Sequence, residues 1–170
     1  VQLFFIDPGE LRATTPPEVD YAAAGAHMFS ADEIEERMHL FRKNIGDIIQ
    51  LFQSKNIPVI ISTVATNYWH PDIKHHNADV YEEIQRLYAS GRYEEGLQLA
   101  RNTVSKYKRC QASDVENNII RDLAKQLAVP LIDGEQLIAN AEPNHVPGET
   151  LLSDWCHLTE EGREIVVAEF

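Results

Sequence analysis

Asp154, Trp155, Cys156 and His157 end a loop that carries Pro147 and Gly148, and they directly precede the last helical stretch, for which Thr159 is the expected cap. An Asp and a His three residues apart on an irregular turn can fold back on each other. The carboxylate then accepts the imidazole Nδ1 proton, which fixes the tautomer and leaves Nε2 to act as a base. The same spacing also suits a surface Asp that helps to cap the helix with a His beside it.

Two further groups carry chemistry. Asn67, with Tyr68, Trp69 and His70, follows an apolar run. From there Asn67 could donate to a substrate oxygen while Tyr68 or Trp69 walls a pocket, or Asn67 serves a turn and the aromatics pack. His70, Asp72, His75 and His76 place four potential ligands in one short loop, and carboxylate plus imidazole would suit zinc. The spacing matches no standard site, Pro71 stiffens the loop, and adjacent histidines diverge, so no metal is assigned. Cys110 and Cys156 show neither a CxxC spacing nor a disulfide framework, which leaves the compartment undecided.

These groups need elements to hold them. Residues 1–6 form a β-rich run stopped by Asp7-Pro8-Gly9-Glu10, and residues 11–29 read as a loop. Ser30 with Glu33 makes a capping box, and Ile34, Met38, Phe41, Ile45, Ile48, Ile49 and Phe52 recur at helical spacing to Lys55. Residues 59–64 are β-branched and apolar on both faces, as a central parallel strand should be. Residues 78–89 and 93–105 read as a helical hairpin joined at Gly91. Ser113 with Glu116 opens a helix whose inward residues are Val115, Ile119, Ile120, Leu123 and Leu127. Residues 129–133 make another buried strand, residues 134–140 a short helix, and residues 159–170 a final one. The alternation predicts an α/β chain with a parallel sheet covered by helices.

The chain has 170 residues, 27 acidic against 15 basic, for a net charge of −12. One domain over 1–170, with a helical insert at about 78–108, is the expectation at this length. With 44% hydrophobic and 25% charged residues the composition is that of a globular protein. So acidic a surface repels phosphate backbones, which argues against nucleic acid, and no apolar run is long enough to span a bilayer. Three strands are a thin sheet, and the chain opens on an apolar run without Met. Both lead to the expectation that earlier strands of the domain are missing.

The phrase Asp154-x-x-His157-Leu158-Thr159-x-x-Gly162, followed by an apolar helix, resembles the last sequence block of the SGNH (GDSL-type) hydrolases. Phe41-Arg42-x-Asn44, then Ile57-Pro58-Val59-Ile60 with Thr63 and Asn67, is similar to the helix, strand and following loop of that family. The stretch from Asn117 through residues 129–133 to Pro147-Gly148 is similar to its closing αβ unit. Gly91-Arg92-Tyr93-Glu94-Glu95 resembles the repeat-like phrase of a branch with a tetratricopeptide-like insert. The resemblance implies a three-layer, flavodoxin-like α/β/α fold and an esterase or acyltransferase acting on a small-molecule or glycan acyl ester without a cofactor. It makes His157 the general base and Asp154 its orienter, with Asn67 and Arg109 facing the substrate. The family's nucleophile block, Gly-Asp-Ser, is absent, and Asp7-Pro8-Gly9-Glu10 stands where an oxyanion asparagine is expected. Two competing readings therefore remain: a binding module holding a protein through the helical hairpin, and a metal-dependent hydrolase using the loop from His70 to His76.

Overall fold

A computed structural model describes residues 30–106 and 111–170. The runs at residues 1–6 and 11–29, the Asp7-Pro8-Gly9-Glu10 turn and Arg109 lie outside the described residues. Among the described residues, six helices and one two-stranded parallel sheet follow one another in the order α1 (Ala31–Ser54), β1 (Ile61–Ser62), α2 (Ala78–Ala89), α3 (Tyr93–Val104), α4 (Asp114–Gln126), β2 (Leu131–Ile132), α5 (Gly134–Ala141) and α6 (Glu160–Val167). No helix among them is long and apolar enough to cross a membrane.

The expected three-layer α/β/α fold is overturned, because the described chain is 56% helical and its sheet has two strands. Ile61 pairs with Leu131 and Ser62 with Ile132, and the ladder ends there. Pro58 and Pro130 have no N–H to offer at the start of each run. After a last backbone bond, from the Thr63 amide to the Ile132 carbonyl at 3.1 Å, the chains turn to side-chain bonds, Thr63 Oγ1 donating to Asp133 Oδ1 at 2.8 Å. Ile60 and Val64 are 48% and 45% exposed, so the run at 59–64 is not covered on both faces. An apolar run of that length has no period that distinguishes a central strand from a short extended segment.

The helices form where their caps predict. Ser30 with Glu33 and Ser113 with Glu116 are both complete capping boxes. Each satisfies two otherwise orphaned amides, worth about 1 kcal/mol per helix. Helix α1 rests on α4 through Ile49, Ile119 and Leu123, with Met38, Phe41 and Ile45 alongside. Ile48 and Phe52 on α1 and Val115 on α4 instead face outward.

The hairpin α2–α3 turns at Gly91, whose φ of +77° favours glycine. It closes over Tyr68, Ile73, Ile84, Tyr88, Ala100, Val104 and Val146, all buried. A separate cluster of Ala65, Ile138, Leu151 and Leu152, joined by Leu158 and Val166, forms a floor under the loop of residues 153–157.

Candidate active site

Leu152 and Leu158 form an isolated antiparallel bridge, and the Ser153 amide donates to the His157 carbonyl at 2.8 Å. With both leucines seated on the floor below, residues 153–157 project as a closed turn. Asp154 organises it: Oδ1 accepts the amides of Cys156 and His157 at 2.9 and 2.8 Å. Its Oδ2 lies 2.7 Å from His157 Nδ1. The Cys156 and His157 amides, then the imidazole, hold the Asp154 carboxyl down at about 2. It is therefore a carboxylate near neutrality. The proton in the contact belongs to Nδ1, and Nε2 takes no part in it. Asp154 and His157 thus meet as expected.

The His157 side chain is 75% exposed, so among the described residues it stands at the surface. Cys156, its neighbour, lines an open, mostly apolar groove of about 300 Å³ with Ser62 to Ala65, Gly134, Leu158, Val166 and Phe170. The carboxyl end of β1 is thus beside the turn, where a ligand site in a parallel sheet is expected.

Asn67 has a role other than substrate contact. It is buried; Nδ2 donates to the Asp154 carbonyl at 2.9 Å and Oδ1 accepts the His70 amide at 2.7 Å. Its own amide donates to the Trp155 carbonyl at 3.1 Å. Asn67 is therefore a clamp on the turn of residues 153–157. Gly148 is what lets it in: a Cβ there, at φ +104°, would stand 2.1 Å from Asn67 Oδ1. Tyr68 is fully buried and donates to Asp114 Oδ1 at 2.8 Å, while Trp69 stacks on Tyr88 with centroids 4.6 Å apart. Both aromatics pack against the helical hairpin.

The loop of His70, Asp72, His75 and His76 does not assemble as a ligand set. His70 Nδ1 lies 2.9 Å from the Tyr81 hydroxyl instead. Among the described residues, Asp154, Cys156 and His157 are the three that bring a carboxylate oxygen, Sγ and imidazole nitrogen within 4.8 Å of one another. A cation taken there through Nδ1 would displace the proton that Asp154 holds.

The sequence alone gives no sign of two other features. Glu142 is buried, and its carboxylate accepts the amides of Gly148, Thr150 and Leu151 and the Thr150 hydroxyl, all at 2.8 to 2.9 Å. It thereby shapes the loop leading to Asp154. Arg121 grips Asp133 with two bonds of 2.8 Å and reaches Glu135 at 2.8 Å, closing the far side of the strand ends.

No known protein family, curated protein or solved structure matches the chain. The functional reading rests on the residues and their geometry.

Proposed function

We propose that the protein is an acyl-ester hydrolase or acyltransferase of the SGNH type, with His157 as general base and Asp154 as its orienter. The observation that carries this reading is the 2.7 Å contact between Asp154 Oδ2 and His157 Nδ1, on a turn whose other carboxylate oxygen is fixed by two amides. Asn67 and Glu142 preorganise the turn from behind. In the proposed reaction Nε2 takes the proton of a serine hydroxyl as its Oγ adds to the ester carbonyl. It returns that proton to the departing alcohol, and water then releases the acid by the same sequence.

The nucleophile is not one of the seven serines of the sequence. Ser30 and Ser113 are helix caps, and Ser54, Ser62, Ser90, Ser105 and Ser153 each donate to a backbone carbonyl. The reading thus calls for a serine beyond these 170 residues. A binding module that keeps the Asp–His pair without a nucleophile is the second reading, and the same placement of serines favours it.

The test is hydrolysis of p-nitrophenyl acetate by the full-length protein, with His157→Ala beside it. A loss of about 10²- to 10⁴-fold in kcat is expected for the variant. Equal turnover by both proteins removes His157 from the mechanism, and no turnover by either favours the binding module.

A further inference from the structure

Beside the turn of residues 153–157 lies a second, smaller hollow of about 110 Å³, lined by His70, Pro71, Asp72, Lys74, His75, Tyr81 and Trp155. Trp155 sits in sequence between Asp154 and Cys156 and is 40% exposed. The two walls are held at a fixed spacing by one side chain. The Asn67 carboxamide accepts from His70 on one side and donates to the Asp154 carbonyl on the other. A group bound in the hollow is therefore in register with the Asp154–His157 pair.

The chemistry of the walls selects the group. Lys74 Nζ stands over the Tyr81 ring, 5.5 Å from its centroid. None of the ion pairs among the described residues involves Lys74. It lies beside two imidazoles, His70 and His75. The one carboxylate in the lining, Asp72, is on the same loop. Burial, and then the Lys74 ammonium, hold His70 below its ordinary value. The positive charge of the hollow is thus centred on Lys74, with His70 and Tyr81 offering neutral hydrogen-bonding groups.

We propose that this hollow is a subsite for an anionic group, a carboxylate or a phosphate, carried by the ester substrate next to its scissile bond. The inference rests on the hydrolase reading for the word substrate, and on the hollow alone for the word anion. An ammonium raised on an aromatic face and flanked by imidazoles contributes charge and several donors at one end of the hollow. Trp155 offers a flat apolar wall to the rest of the bound group. A volume of about 110 Å³ admits such a head group but not a whole substrate, which extends from it across His157.

Two measurements test the subsite. In the first, the full-length protein is assayed with 4-acetoxybenzoate and with its methyl ester, which differ in one negative charge. Lys74→Met is expected to raise KM for the carboxylate about fivefold and to leave KM for the methyl ester and both kcat values unchanged. In the second, which needs no turnover, tryptophan fluorescence is followed while inorganic phosphate and acetate are titrated separately at constant ionic strength. A saturable change with either anion is expected, lost in Trp155→Phe and weakened in Lys74→Met, and the anion that produces it identifies the preferred head group. Flat titrations together with equal KM changes for the two esters overturn the subsite while the hydrolase reading stands. Saturation without turnover of any ester does the reverse.

Discussion

Asp154 joins two functions in one side chain, since Oδ1 holds the turn and Oδ2 holds the imidazole. Asp154→Asn separates them: the amide oxygen can still accept the Cys156 and His157 amides, but the group that faces Nδ1 is now neutral. The imidazolium formed during proton transfer then lacks its counter-charge, and kcat for ester hydrolysis is expected to fall by about 10²-fold or more with little change in KM. Steady-state kinetics of the full-length protein, with circular dichroism to verify the fold, checks this. Gly148→Ala acts one step behind. Its Cβ would meet Asn67 Oδ1 at 2.1 Å and a backbone atom, Asn67 Cα, at 2.8 Å, so Asn67 must leave its position. The expected result is a less stable protein, by about 1–3 kcal/mol in urea unfolding, whose turnover falls further than stability alone explains. The Asp–His pair is readable from three-residue spacing, because local spacing is all it needs. The Asn67 clamp on residue 154 bridges 87 positions, and no local pattern in the sequence announces it.

At the scale of elements, both capping boxes were legible because Ser and Glu three apart act through adjacent amides. The facing of each helix was less so. Ile48, Phe52 and Val115 fit the helical period yet lie outward, since α1 and α4 bury only the narrow seam around Ile49, Ile119 and Leu123. The sheet was misread for the reason that apolar β-branched runs do not reveal how many partners they have. Asp133, just after β2, gives a pH-dependent prediction. The Arg121 guanidinium first, then the Thr63 hydroxyl and the Gln136 amide, hold its carboxyl below the usual 3.8. A lowered folded value means that the carboxylate stabilises the fold above the unfolded value, and that this stability drains away as pH falls through the folded one. Urea midpoints of the wild type and Asp133→Asn are therefore expected to differ most at pH 6 and to converge as pH drops below about 4. Two curves that stay parallel across that range would show that the ion pair contributes nothing.

The whole molecule is tied together by Glu135, which is 4% exposed and receives charge from two directions. Arg121 on α4 meets one oxygen at 2.8 Å, and Arg101 on α3 approaches the other at 3.3 Å. Asn117, which also bonds both backbone groups of Val64, donates to it at 3.0 Å. Helical hairpin, strand ends and α5 thus share one buried carboxylate. Arg101 further lies over the Tyr68 ring at 5.4 Å, so the hairpin is coupled to the residue after the Asn67 clamp. Removing the charge takes one carboxylate from each guanidinium, while Arg121 keeps Asp133 and Arg101 keeps Asp114 at 3.6 Å, so the cost is about 1–3 kcal/mol. It also removes the hairpin's ionic link to α5, while the Arg101–Asp114 pair still joins it to α4. The wild type is expected to unfold in urea as one transition, with tryptophan fluorescence and far-UV ellipticity coinciding, because Trp69 in the hairpin core reports the same event as the helices at large. In Glu135→Ala the fluorescence transition is expected to move to lower urea than the ellipticity, as the hairpin and its Trp69–Tyr88 stack release first. If the two curves still superimpose in the variant, the apolar cluster around Tyr68 and Ile84 suffices to join the parts, and Glu135 acts only on overall stability.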